Sequence, residues 1–172
     1  MDAVPKQNQL CHVDLPYPPV RVDRQNNVYA RAMLDNLGGK ESEMSAVSLY
    51  FYNALVTAGQ PETAAVFHRI SIVEMHHMEI FGTLAGQLGQ DPRLWTVKQG
   101  RRIYWSPGYN QYPIRREELL KNAILGEKLA IRKYEMQAGA IQDPYIVENL
   151  RRILLDEQLH VEILTGLLGT AK

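Results

Sequence analysis

Two glutamates in this 172-residue chain are each followed three positions later by a histidine, as Glu74-x-x-His77 and Glu157-x-x-His160. Residues three apart lie on one face of a helix, so each pair can present a carboxylate and an imidazole to one cation. A single pair means little, because 12 glutamates and 5 histidines in a chain this long give roughly 0.35 such pairs by chance. The surroundings of the two pairs change that weight. The first is preceded by Glu43-x-x-Ala46-x-x-x-Tyr50 and the second by Glu127-x-x-Ala130-x-x-x-Tyr134. Glu43 stands 31 residues before Glu74 (74 − 43) and Glu127 stands 30 before Glu157 (157 − 127), which reads as a duplication whose unit is a helical hairpin.

The spacing also matches in height. With the first hairpin turning near Gly59, Glu43 and Glu74 sit about 24 and about 22 Å from the turn at 1.5 Å per residue; around Gln142, Glu127 and Glu157 each sit about 22 Å away. Four carboxylates and two imidazoles therefore converge at mid-bundle. Apolar residues one and two turns away, Phe67, Ile70, Phe81 and Leu84 around the first pair and Leu150, Ile153, Leu164 and Leu167 around the second, direct both pairs inward. Four buried carboxylates repel one another and lose hydration, which a core accepts only by protonation or by binding cations. Two divalent metals bring four positive charges to four negative ones. The metal-ligand candidates are Glu43, Glu74, His77, Glu127, Glu157 and His160. Tyr50 and Tyr134, two turns beyond the upstream glutamates, are the candidate catalytic residues, expected to donate hydrogen bonds to ligand carboxylates, with aromatic core packing as the alternative.

Glu41 points away from the Glu43 face and suits the positive end of a helix. His76 falls one residue off the inward stripe, which favours a surface position, and His12 and His68 have no partner pattern. Trp105 is expected to pack a connection onto the bundle.

Four long helices must position these groups. The first starts near Lys40 and ends at Gly59, the second restarts at Gln60-Pro61 and reaches about Gly89, the third spans roughly 114 to 141, and the fourth, capped by Asp143 with Pro144 in its first turn, runs to about 168. Residues 90 to 113 carry three prolines and two glycines without a helical period or a convincing strand, and read as a long connection. Ahead of the bundle, "LPYPPV" is an extended arm and "NNVYARAMLDNL" a short helix stopped by Gly38-Gly39. The organisation expected is an arm and short helix over 1–38 and a bundle over 39–172. Two tight hairpins joined by a long crossover make an all-α, ferritin-like four-helix bundle.

Composition limits the function classes. Nineteen basic and nineteen acidic residues give zero formal charge, so neither nucleic acid nor an anionic membrane is an expected partner. No basic, apolar leader and no membrane span is read, which makes a cytoplasmic protein the expectation. Cys11 is the only cysteine, excluding a disulfide within the chain and a four-cysteine rubredoxin-type site.

Over residues 40 to 168 the pattern resembles the ferritin-like di-metal carboxylate superfamily, most closely its rubrerythrin-like members, with bacterioferritin and the manganese catalases as relatives. The resemblance implies that Glu43 and Glu127 are terminal ligands, that Glu74 and Glu157 bridge two metals, and that His77 and His160 bind one each. "LPYPPV" and "GGKESEMSAV" are also similar to the start of manganese-catalase-like spore-coat proteins, which adds a spore coat as an alternative location. Rubrerythrins carry a further glutamate where this chain has Ala130, and manganese catalases usually lack one of the four glutamates, whereas Glu157 is present. The implied cofactor is two Fe ions, with two Mn ions as the alternative. The implied activity is an oxidoreductase reducing or disproportionating hydrogen peroxide or reducing O2, in oxidative-stress defence, with a separate electron donor if one is used. A homodimer or small homo-oligomer is expected; a ferroxidase of iron storage and a metal-stapled coat component are the other readings.

Overall fold

The computed structural model describes residues 11–170. The first ten residues of the expected arm, and 171–172 of the expected bundle, lie outside the described residues. Helix α1 (Asn27–Gly38) opens on Asn26, whose side chain accepts hydrogen bonds from the Val28 and Tyr29 amides. Helix α2 (Glu43–Val56) opens on Ser42, and α3 (Pro61–Gln87) begins with proline in its first turn. Helices α4 (Arg116–Ala140) and α5 (Pro144–Gly169) form the second hairpin, with Asp143 accepting from Tyr145 and Ile146 at the start of α5 as its position before Pro144 predicts. The largest helix–helix contacts lie within the α2–α3 and α4–α5 pairs, and α1 packs on α3. The four-helix arrangement is the expected all-α ferritin-like bundle, with α2 starting three residues later than its pattern suggests.

The eight apolar residues that flank the two Glu-x-x-His pairs are all buried. They divide between two apolar clusters. One gathers Phe81, Leu84, Leu150 and Ile153 with α1, and the other gathers Phe67, Ile70, Leu164 and Leu167 with α4 residues Leu119, Leu120 and Ala123. Each fully buried side chain of this size stabilises the fold by roughly 1.5–3 kcal/mol. Between the two clusters lies a layer of buried charge.

The crossover departs from expectation. It contains an antiparallel hairpin, β1 (Trp95–Lys98) and β2 (Arg101–Tyr104), in the register Trp95 opposite Tyr104 and Lys98 opposite Arg101. Gln99 (φ 50°) and Gly100 (φ 75°) form the turn. Strand signals were present in the aromatic and β-branched alternation of "WTVKQGRRIY", but each strand is four residues long and Gln-Gly is a weaker turn signal than Asn-Gly or Asp-Gly. The hairpin leans on the end of α1, where a Cβ at Gly38 would come within 2.7 Å of the Leu94 and Trp95 backbone. Glycine is needed there for close approach. Further along, Trp105 Nε1 donates to Ser45 Oγ (2.9 Å) and Asn110 Nδ2 to the Ser45 carbonyl (3.0 Å), tacking the crossover onto the first turn of α2.

Candidate metal centre

Each hairpin brings its residues to the charged layer as the spacing predicts. Glu43 is the first residue of α2, Glu74 and His77 lie mid-way along α3, Glu127 lies in α4, and Glu157 and His160 lie in α5. All six side chains are buried, none more than 3% exposed. They form two overlapping groups, Glu43–Glu74–His77–Glu157 and Glu74–Glu127–Glu157–His160, with ligand atoms in each within 4.8 Å of one another. Glu74 and Glu157 belong to both. Their oxygens divide between the histidines: His77 Nδ1 lies 3.0 Å from Glu74 Oε2 and 3.1 Å from Glu157 Oε1, while His160 Nδ1 lies 3.0 Å from Glu74 Oε1 and 3.5 Å from Glu157 Oε2. Both oxygens of Glu157, Oε1 of Glu74 and Nδ1 of His160 are nonetheless buried without a well-directed hydrogen bond among the described residues. Close approach without directed bonding suits atoms arranged around cations rather than around one another. Carboxylates and imidazoles are donors suited to iron or manganese, so the residues present fit a dimetal pair.

Burial raises the Glu43 carboxyl well above the usual range, with the Glu74 and Glu157 charges adding to it; burial and Glu157 likewise push Glu127 up to about 8. Glu74 and Glu157 feel the same desolvation, yet the close approach of both imidazoles outweighs it and holds them below the ordinary value. Burial disfavours charge on the histidines too. Even so, His77, bonded to Asp156 and Glu74 and close to Glu157, and His160, facing Glu74 and Glu127, are raised well above theirs. Without metal the shifts run in compensating directions: Glu43 and Glu127 are pushed toward the neutral carboxyl, while Glu74 and Glu157 are drawn toward the carboxylate and the two histidines toward the imidazolium that faces it.

The tyrosines act across the bundle. Tyr50 of α2 donates to Glu127 Oε1 of α4, and Tyr134 of α4 donates to Glu43 Oε1 of α2, so each hairpin orients the other's upstream glutamate. A cleft of about 90 Å³ between α2 and α4 reaches this side of the layer, lined by Glu43, Tyr50, Glu127 and Tyr134 with Ala46 and Ala130.

Sequence reasoning missed the support behind the imidazoles. His77 Nε2 lies 3.2 Å from Asp156 Oδ2, and His160 Nε2 lies 2.8 Å from the Cys11 carbonyl. Asp156 is fully buried, and it also accepts from the Val13 amide (2.7 Å) and the Tyr17 hydroxyl (2.6 Å) and pairs with Arg152 (2.7 Å). These contacts keep its carboxyl well below the usual range despite burial. The signal for Asp156 was an Arg-x-x-x-Asp pair ending beside Glu157; comparing the halves hides it, because the matching position before Glu74 is Val73. His76 is half exposed, 3.6 Å from Glu79 and edge-on to Tyr17, and Glu41 is exposed ahead of α2. Neither joins the layer.

The family model for manganese-containing catalases matches residues 12–103, which take in the arm from His12, α1, α2 and α3. Two structures of KatB, a manganese catalase from Anabaena, are similar to this chain at 21% identity, with TM-scores of 0.81 and 0.79, covering 92% of this chain and 79% of that one. At that identity the likeness shows the fold. No curated protein matches the sequence. Manganese, the alternative to iron, fits the family found, which is one of the relatives named from the sequence rather than the rubrerythrin-like members placed nearest to it. No helix among the described residues is long and apolar enough to cross a membrane. With more than half of its 172 residues matched by that family model, the chain belongs to the family of manganese-containing catalases.

Proposed function

We propose that the six buried side chains hold two manganese ions and that the protein disproportionates hydrogen peroxide. The observation that carries this reading is the division of the Glu74 and Glu157 oxygens between the two histidine Nδ1 atoms, inside two overlapping ligand groups that close to within 4.8 Å. In this assignment Glu74 and Glu157 are shared, Glu43 and His77 complete one site, and Glu127 and His160 complete the other. A manganese pair supplies a two-electron reservoir, able to take two electrons from one peroxide and return two to another. The balance is two H2O2 to one O2 and two H2O, so the protons released in one half-reaction are consumed in the other and no outside electron donor is required.

The chain's own groups select and place the substrate. The α2–α4 cleft, partly lined by alanine, has room for peroxide and a few waters beside the two upstream carboxylates. Tyr50 and Tyr134 each occupy one oxygen of Glu127 and Glu43, fixing the rotation of the two carboxylates that face the cleft. We assign them as positioning residues. The apolar clusters above and below keep bulk water from the layer.

The test is oxygen evolution from hydrogen peroxide by protein reconstituted with manganese, compared with the same concentration of free manganese and with iron-reconstituted protein. The reading requires turnover well above free metal with two manganese per chain. Turnover no faster than free metal would leave the site without this function.

A further inference from the structure

The arm ahead of α1 does more than cover the bundle. From Cys11 to Tyr17 it touches the supports of both histidines. The Cys11 carbonyl accepts from His160 Nε2, and the Val13 amide and Tyr17 hydroxyl both donate to the carboxylate that faces His77 Nε2. Arg152 fastens this stretch by donating to the Val13 carbonyl (2.7 Å) and, through Nε and Nη2, to the Leu15 carbonyl (3.1 and 3.0 Å), while pairing with Asp156 and lying 4.1 Å over the Tyr17 ring.

The two halves of the bundle differ where the arm acts. His77 of α3 finds its outer acceptor on α5, at Asp156, one residue before Glu157. By the duplication, the acceptor for His160 of α5 would be the α3 residue before Glu74, but that is Val73, which has no acceptor. The backbone carbonyl of Cys11 takes that place. An imidazole whose outer nitrogen donates to a fixed acceptor has its tautomer and ring plane set, with the inner nitrogen presented to the metal. The arm completes one support directly and tightens the other.

We propose that the Cys11–Tyr17 arm is a positioning element of the metal centre, setting His160 through the Cys11 carbonyl and His77 through the Tyr17–Asp156–Arg152 network. The inference rests on the assignment of both histidines as ligands. It also makes the two metal positions separately adjustable, because the arm meets the histidines at different points.

The test uses the full chain and reads manganese affinity rather than turnover, by chelator competition that resolves two binding steps. Tyr17→Phe removes only a hydroxyl and keeps the ring on His76 and Arg152; it is expected to weaken one of the two manganese ions by several-fold and leave the other unchanged. Asp156→Asn should weaken that same ion by about 10- to 100-fold, the usual effect of losing an outer partner of a metal-bound histidine. Arg152→Met, which frees the arm from α5, should weaken both ions and speed exchange of the His160 Nε2 proton in the metal-free protein. A merely structural lesion would lower both affinities together in all three variants. The proposal is overturned if Tyr17→Phe and Asp156→Asn leave both affinities within twofold of wild type, or lower the two equally, or if Arg152→Met leaves His160 proton exchange unchanged. If wild-type protein itself fails to bind two manganese ions, the ligand assignment falls first, and this proposal with it.

Discussion

Loading the site with metal should release about four protons per chain. In the metal-free protein burial and neighbouring carboxylates push Glu43 and Glu127 toward the neutral form, Glu127 up to about 8, while the facing carboxylates favour the imidazolium of His77 and His160. Metal ligation requires the ionised carboxylate and the neutral imidazole, so each of the four groups gives up one proton. Two divalent ions add four charges and about four protons leave, which keeps the buried layer's net charge constant. That constancy is why the count should be near four. Isothermal titration calorimetry at pH 7 in buffers of different ionisation enthalpy measures it directly, as the slope of observed enthalpy against buffer enthalpy. A slope of magnitude near four supports the assignment, and it should shrink as pH rises past about 8, where Glu127 is ionised before metal binds. Over the range where all four protons are present, the product of the two binding constants should rise by about 10⁴ per pH unit, or about 5.4 kcal/mol at 1.36 kcal/mol per proton. A slope near zero at pH 7 would mean that these groups are already metal-ready, or that manganese binds elsewhere.

The remaining predictions concern stability and stoichiometry. Metal-free protein should melt at a lower temperature at pH 9 than at pH 6: the raised groups His77 and His160 stabilise fully below about 6.5, and Glu43 and Glu127 below about 4.5, and these contributions are lost as pH climbs through the folded values. Glu74 and Glu157 act in the other direction, stabilising above about 4.5 and losing that on acidification, so a metal-free melting temperature that rises steadily to pH 9 would contradict the protonation pattern. Glu74→Ala and His160→Ala should each bring manganese, measured by elemental analysis, below two per chain; two ions retained in both would remove those residues from the ligand set. Gly38→Ala, whose Cβ would sit 2.7 Å from backbone atoms of Leu94 and Trp95, should cost about 1–3 kcal/mol in chemical denaturation and leave manganese stoichiometry intact.

Much of the site was legible because its residues are set by helix geometry. A three-residue spacing fixes a shared face, and a 30- or 31-residue separation across a tight turn fixes a shared height, so Glu43, Glu74, His77, Glu127, Glu157 and His160 could be placed together before any coordinates. Apolar neighbours one and two turns away gave the inward direction, and every one of them is buried. What periodicity cannot carry was missed. The outer partner of His160 is a backbone carbonyl, which any residue at position 11 would supply, and Asp156 answers to a histidine on another helix rather than to a repeat on its own. The Trp95–Tyr104 hairpin escaped for a related reason: a two-stranded ribbon of four-residue strands is held by its seat on α1 and leaves only a brief alternation in the sequence.

Anomalous diffraction at the manganese edge, from crystals of manganese-loaded protein, locates the ions themselves. Two peaks per chain are expected, one among Glu43, Glu74, His77 and Glu157 and the other among Glu74, Glu127, Glu157 and His160. A single peak, or manganese seated outside these six side chains, would contradict the ligand assignment.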